Sequence, residues 1–366
     1  MRAMILCAGL GTRLRPLTER WPKPAIPLLG QPLFRYNLAV LKAAGVTEVG
    51  INTHHLPDEM RQTAQAECDR AGLSLHVSHE PVIQGTGGGI RGLRSFLAPS
   101  SPSGPSADAN ADANDDFLVM NGDVLFAVDL APVVRRHKEA KAAATMVLLP
   151  MPENEKFAAV EVDAQFRVRR IAGHGPGDPH RERLSPWHFT GVHVMSPRVF
   201  DFMAPEGEED INRSVYVRMM EAGLLVRGEL VRGYWSDIGT PSRYLQAQTD
   251  LLFGQVPLSL FPGADPFADA TLLSTHHGLN KRSPTARVEG TVIGPAFVGP
   301  DAHIQKGAWL GSGVYVGEGA VVEEGARLSR CAVLAGTTVR KGEVLEDTIA
   351  SGEQRIPSAA PVPVQR

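Results

Sequence analysis

The chain has 366 residues, 43% of them hydrophobic, with 37 Lys and Arg against 40 Asp and Glu for a formal charge of −3. That length and apolar content suit two domains with a core in each, and the near-neutral charge argues against a nucleic-acid or membrane-surface partner, which would call for a clustered basic excess. No apolar run approaches a membrane span, the N-terminal strand lacks the flanks of a signal peptide, and Cys7, Cys68 and Cys331 are too few and scattered for a disulfide framework or zinc site. A cytoplasmic protein with buried or incidental thiols is expected.

Residues 1–8 read as one buried strand. It runs into Cys7-Ala8-Gly9-Leu10-Gly11-Thr12-Arg13-Leu14-Arg15-Pro16-Leu17-Thr18, and Pro22-Lys23-Pro24 follows. Gly9 and Gly11 let the backbone turn sharply and bring bare N–H groups against an anion. Arg13 donates a planar fork to phosphate oxygens and Lys23 a compact point charge, so together they can hold a triphosphate and offset charge that develops during transfer. Neither is a nucleophile. The turn is not a Walker loop, since no Gly-Lys-Ser/Thr follows, nor the Rossmann fingerprint, whose third glycine would fall at Leu14.

Further along, residues 33–44 predict a helix closed by Gly45, and 46–53 a strand. Residues 57–71 predict a second helix closed by Gly72, and 73–78 another strand. Gln84-Gly85-Thr86-Gly87-Gly88-Gly89 then leads into a helix over 90–97. A fourth strand over 117–120 ends at Asn121-Gly122-Asp123. This alternation continues to about residue 253 and predicts an α/β first domain over 1–255, with a Rossmann-like, mainly parallel sheet covered on both faces. His54 and His55, adjacent on extended chain, point to opposite sides and are expected to be structural. Residues 99–116 are Ser, Pro, Ala, Asp and Asn with almost nothing to bury, and read as a flexible insertion.

Residues 256–285, rich in Pro, Gly and polar side chains, read as a linker. Beyond it the period is six: Val292, Val298, Ile304, Leu310, Val316, Val322, Leu328 and Leu334, with Ala296, Ala302, Ala308, Val314, Ala320, Ala326 and Ala332 two positions before most of them. Such hexads build a parallel β-helix, expected over 286–345 with fewer than three coils and a tail over 346–366. An open β-helix end exposes unpaired backbone, which makes a homo-oligomer through it a reasonable expectation.

The two N-terminal blocks resemble the signature of the sugar-1-phosphate nucleotidylyltransferases, or NDP-sugar pyrophosphorylases, and the hexads resemble the left-handed β-helix often appended to them. The resemblance implies transfer of a nucleotidyl group from an NTP to a sugar 1-phosphate, giving an NDP-sugar and pyrophosphate with Mg²⁺. On it, Ala8, Gly9, Leu10, Gly11 and Thr12 bind the nucleotide, Arg13 holds the leaving pyrophosphate, and Lys23 attends the α-phosphate. Gln84, Gly85, Thr86 and Gly87 approach the nucleobase. Asp123, and Asp237 in Tyr234-Trp235-Ser236-Asp237-Ile238-Gly239-Thr240-Pro241, resemble the family's metal aspartates. Mg²⁺ typically takes one or two carboxylates plus substrate phosphates.

Asn121, Glu161, Thr190 and Gly191 fall where the family holds the sugar. There the sequence also departs from the pattern: Val168-Arg169-Arg170-Ile171-Ala172-Gly173 stands where Glu-Lys-Pro is expected. Arg169 or Arg170 could replace the lysine, or both could line a solvated strand edge. The two-domain layout resembles mannose-1-phosphate guanylyltransferases, which make GDP-mannose. The run Gly85 to Ile90 looks more like N-acetylmuramate-1-phosphate uridylyltransferases or heptose-phosphate guanylyltransferases. A catalytically silent regulatory subunit is the reading from another class, and the presence of Arg13, Lys23, Asp123 and Asp237 weighs against it.

Overall fold

The strand Arg2–Leu6 lies between Glu48–Thr53 and Phe117–Asn121, parallel to both, and Ser74–His79 adds a further parallel strand at one edge. Its Ala3, Met4 and Ile5 are fully buried, as a strand covered on both faces requires. These coordinates are a computed structural model describing residues 1–99, 116–153, 157–274 and 280–358. Almost all of the predicted insertion over 99–116, and the last eight residues of the chain, lie outside the described residues. By its contacts the chain divides into two compact units, Met1–Leu10 with Asn37–Trp235, and Gly11–Tyr36 with Ser236–Arg366.

In the first unit the sheet is mainly parallel at its centre, as expected, and continues through antiparallel neighbours. Ser185–Met195 pairs with Phe117–Asn121, and Ala159–Val162 and Ala144–Leu149 both pair with Ser185–Met195. The register against Ala144–Leu149 shifts between Phe189 and His193, a bulge that carries Thr190 and Gly191. Met4, Phe117, Val119, Met146, Leu148 and Tyr216 lie in one buried cluster. The glycine run read as leading into a helix at residue 90 is itself helical: Gly85–Gly92 forms a helix and Arg94–Leu97 a further turn. Its glycines suit close packing against residues 207–211, described below.

In the second unit three parallel sheets confirm a parallel β-helix. Asn280–Arg282, Ala296–Val298, Val314–Val316, Ala332–Val333 and Thr348–Ser351 stack in one sheet. Four strands from Arg287–Val288 to Thr338–Val339 form the second, and four from Thr291–Val292 to Val344–Glu346 the third. Val298, Ile304, Leu310, Val316, Val322 and Leu328 fill the core as the six-residue period predicts.

Two expectations are corrected. The stack exceeds three coils: parallel strands begin at Asn280, inside the segment read as linker, and run to Ser351, inside that read as tail. Also, Val333 rather than Leu334 enters the core, with Cys331 two positions before it in place of Ala332. The register pairs Val316 with Val333, so this coil is one residue shorter, and a strict count of six loses the phase there. At its two ends the first sheet is covered by the antiparallel strands Thr271–Ser274 and Gln354–Pro357. The second unit also holds a cavity of about 270 Å³, lined in part by Trp21, Gln31, Asp265, Phe297, Tyr315 and Glu318, and none of its lining residues was predicted to touch substrate.

Candidate active site

The phosphate turn is built around Gly11, whose φ of 60° lies in the left-handed region that favours glycine. Its carbonyl accepts from the Thr18 hydroxyl at 3.0 Å and the Leu14 N–H at 2.9 Å. A Cβ at position 11 would stand 2.7 Å from the Thr18 methyl and 3.6 Å from the Lys23 stem, so glycine is what lets these pieces close. Lys23 opens a single 3₁₀ turn between Pro22 and Pro24 and is only 8% exposed. Arg13, in the turn Thr12–Leu14, is exposed.

Asp237 precedes the helix Pro241–Leu252, which Thr240 caps by accepting the Arg243 N–H at 3.3 Å. The third residue of a capped helix reaches back over the cap, and here the Arg243 guanidinium ion-pairs with Asp237. A Cβ at Gly239 would stand 2.8 Å from Asp237 Oδ2 and 3.0 Å from an Arg13 guanidinium nitrogen. Arg13 and the Asp237 carboxylate therefore both crowd against Gly239. Burial, and then the charge of Arg13, hold Arg243 below its ordinary pKa. Two guanidinium groups around one carboxylate leave a net positive charge suited to phosphate oxygens. Sequence reasoning missed Arg243, although its place three residues after a Thr cap was the available signal.

In the first unit, the register sets Leu6 beside both Asn52 and Asn121, so the carboxyl ends of three parallel strands finish together. That is where ligands bind in open α/β sheets. Ala8 is buried, while Gly9 and Leu10 are exposed beyond the strand end. Asp123 follows a turn held by Gly122 N–H to Leu6 O at 2.9 Å and by the Asn37 amide to Gly122 O at 3.4 Å. Burial, and then the nearby Asp123 charge, push the Cys7 thiol well above its usual range, so Cys7 is an inert side chain. Cys68 and Cys331 are likewise buried.

The predicted base loop is docked by its glycines. Gly87 N–H donates to Glu209 O at 2.8 Å, Thr86 Oγ1 accepts from Ile211 N–H at 3.0 Å, and a Cβ at Gly85 would stand 2.5 Å from Glu209 O. Gln84 is half-buried and its amide donates to Val82 O at 2.9 Å.

At the predicted sugar end, a Cβ at Gly191 (φ 80°) would stand 2.5 Å from Asn121 Nδ2, so the Asn121 amide packs directly over the glycine. The Thr190 hydroxyl turns into the sheet, donating to Val147 O at 2.9 Å, and its carbonyl accepts the Trp235 indole N–H at 2.8 Å. Trp235 meets the His188 ring edge-on at 4.3 Å and Phe157 at 5.6 Å, forming an aromatic wall. Burial lowers His188 to about 4, which keeps it neutral. Arg169 is held by Glu182 at 3.0 and 3.2 Å, whereas Arg170 faces Glu161 at 3.3 Å across the strand pair. His54 Nδ1 lies 2.8 Å from Glu80 O. Among the described residues no three His, Cys, Asp or Glu side chains form a metal-holding group, and no helix is long and apolar enough to cross a membrane.

A glycine turn carrying two cations after a parallel strand, with a β-helix appended, defines a nucleotide-handling α/β enzyme. A family model described as "Nucleotidyl transferase" matches residues 2–253, and one described as "GMPPB C-terminal domain" matches 292–363. The chain belongs to the nucleotidyl transferase family and is a nucleotidyltransferase. It is 27% identical over 330 residues to UTP–glucose-1-phosphate uridylyltransferase of Synechocystis sp., covering 84% of this chain and 81% of that one. It is 28% identical over 304 residues to mannose-1-phosphate guanylyltransferase of Mycobacterium tuberculosis, covering 82% and 77%. With probable mannose-1-phosphate guanylyltransferase 1 of Oryza sativa subsp. japonica it shares 28% over 352 residues, covering 95% and 85%. In fold it is similar to a putative glucose-1-phosphate thymidylyltransferase from Bacillus anthracis, with a TM-score of 0.54 and 22% identity, over 68% of this chain and 94% of that one.

Proposed function

We propose that the protein transfers a nucleotidyl group from an NTP to a sugar 1-phosphate, and that its product is GDP-mannose. The observation that carries the reaction type is the phosphate turn, where Gly11 folds onto Thr18 with buried Lys23 against it. A phosphate oxygen of the sugar 1-phosphate attacks the α-phosphorus of the NTP. The bond from that phosphorus to the oxygen bridging the β-phosphate breaks, and its electron pair leaves with pyrophosphate.

In this reading the backbone from Ala8 to Thr12 cradles the triphosphate, Arg13 steadies the leaving pyrophosphate and Lys23 offsets charge at the α-phosphate. Gln84, Gly85, Thr86 and Gly87 approach the base as one run, which residues 207–211 hold in place through Gln84 O, Thr86 Oγ1 and Gly87 N–H. Asn121, Glu161 and Gly191 hold sugar hydroxyls, while Thr190, whose hydroxyl and carbonyl are taken by Val147 and Trp235, shapes the turn that presents Gly191. Arg169 or Arg170 serves the sugar phosphate, the first held by Glu182 through two bonds and the second by Glu161 and by Gly173 O.

Magnesium fits the donors present. Asp123 and Asp237 are hard oxygen ligands, and their small number leaves room for waters and substrate phosphates, as this ion prefers. Both would hold it, and when bound it neutralises phosphate charge and orients the triphosphate.

GDP-mannose is supported by the C-terminal match over 292–363 and by two of the relatives above. A uridylyl transfer is the second reading, favoured by the Gly85 to Ile90 run and by the Synechocystis relative. The enzyme is read as cytoplasmic and as a homo-oligomer through the β-helix, which a solution mass would test. The deciding experiment is pyrophosphate release with Mg²⁺ across GTP, UTP, dTTP, CTP and ATP, each with mannose, glucose, N-acetylglucosamine, N-acetylmuramate and heptose 1-phosphates. Turnover with GTP and mannose 1-phosphate is the expected result. Silence across the panel from folded, nucleotide-binding protein would favour a regulatory subunit instead.

A further inference from the structure

Asn52 and Glu80 sit at the carboxyl ends of neighbouring parallel strands, 3% and 5% exposed. The Cys7 N–H donates to Asn52 Oδ1 at 2.8 Å, Asn52 Nδ2 donates to Glu80 Oε1 at 2.7 Å, and the Gln84 N–H donates to Glu80 Oε2 at 2.9 Å. The backbone of Glu80 is fixed as well, its N–H donating to Thr53 O at 2.8 Å. A Cβ at Gly89 would stand 2.6 Å from Asn52 Nδ2 and 3.0 Å from Glu80 Oε1. The helix Gly85–Gly92 therefore presses bare backbone onto this pair.

Two features of the pair call for a reason. Among the described residues no cation is paired with Glu80, and a buried carboxylate without a counter-charge is destabilising unless something recompenses it. The donors also number two, an amide N–H₂ and a backbone N–H. A carboxylate accepts both, whereas a glutamine would accept one and turn its own N–H₂ toward the other.

We propose that Asn52 and Glu80 are a positioning pair for the nucleotide. Through them the start of the phosphate turn, at Cys7, and the first residue of the base loop, Gln84, are tied to one rigid bridge, so both ends of an NTP are read from a single frame. This rests on the nucleotidyltransferase reading above. The buried charge is retained because only a double acceptor holds the two loops at this separation.

The test uses the full chain and the variants E80Q, N52D and N52D/E80Q. In E80Q an amide N–H₂ meets one of the two donors, and in N52D a carboxylate oxygen meets Glu80. In the double variant the carboxylate at 52 accepts from Cys7 N–H and from the amide at 80, whose oxygen accepts from Gln84 N–H, so every bond returns and only the one between 52 and 80 runs in the opposite direction. Calorimetric Kd for Mg-GTP and Mg-UTP, with KM and kcat from pyrophosphate release, are the readouts. Each single variant is expected to weaken nucleotide binding and raise KM by about tenfold while kcat changes far less, as misplacing a binding loop does. The double variant is expected to return to within about threefold of wild type.

Folded single variants with unchanged Kd would overturn the proposal and leave a merely structural tie, as would a double variant no better than the singles. Should the single variants fail to fold, the double variant decides alone, supporting the proposal if its affinity matches wild type and overturning it otherwise. A wild-type protein that binds nucleotide without turnover sinks the transferase reading, while the affinities still decide this one.

Discussion

The Asp237 carboxylate is ion-paired with Arg243 in the first turn of the helix that Thr240 caps. A metal drawn to Asp237 must compete with that guanidinium. Replacing it in R243M is therefore expected to lower the Mg²⁺ concentration for half-maximal turnover by about tenfold, equivalent to about 1.4 kcal/mol, near the low end for a charge-assisted bond. Titrating activity against Mg²⁺ checks this; an unchanged or higher requirement removes Asp237 from the metal site.

Gly9 and Gly11 separate ligand needs from folding needs. A Cβ at Gly11 meets the Thr18 methyl at 2.7 Å under a φ of 60°, whereas nothing lies within 4 Å of one at Gly9. G11A should lower thermal stability by about 1–3 kcal/mol. G9A should melt like wild type and lose nucleotide affinity, because only the bound phosphates would meet its methyl. A G9A protein of normal affinity would refute the cradle at that position.

K23M keeps the buried stem of Lys23 and removes its charge. Turnover is expected to fall on the order of 10²- to 10³-fold, as when one transition-state donor is removed, with the circular dichroism spectrum unchanged. R13A, at an exposed position, should lower turnover without lowering the melting temperature. Pyrophosphate release and a thermal melt on each variant are sufficient, and near-normal rates would move the chemistry elsewhere.

Acid stability should depend on two histidines. Burial lowers His188 to about 4 and His193 to about 3, below the ordinary value of about 6.5. Between those values the unfolded chain binds protons that the folded one refuses. Stability is thus full above about pH 6.5 and declines as pH falls toward 4 and then 3. Both ring nitrogens of His188 are buried with no hydrogen-bond partner, so H188F should keep the packing against Trp235 and lose less stability between pH 7.5 and 5. Melts at the two pH values that decline equally in both proteins would count against this.

What the sequence made legible was local. Gly11, Thr12, Arg13 and Lys23 lie within a short stretch whose spacing encodes one turn, and the β-helix core follows from a six-residue beat. Contacts that close over distance were not legible. Asn52 and Glu80 are ordinary residues until parallel pairing brings their strand ends together, and the Thr190 hydroxyl, read as a sugar ligand, is taken by Val147 across a bulge that no local pattern announces. The glycine run at 85–89 reads only as a lead into the helix over 90–97, because glycine's low helix propensity hides an earlier start. Glycines stand in that helix because backbone from 207–211 comes too close for a side chain.

The strand Gln354–Pro357 doubles back on Thr348–Ser351 where the β-helix stops. A stack in which each coil touches only its neighbours has no inherent length, and whole turns can be duplicated or deleted with little disturbance to the rest. The returning strand acts as punctuation: a lineage that lengthens this domain must insert its new turns before Thr348 or give up the hairpin. The short coil at Val333 shows that such edits need not respect the repeat to the residue.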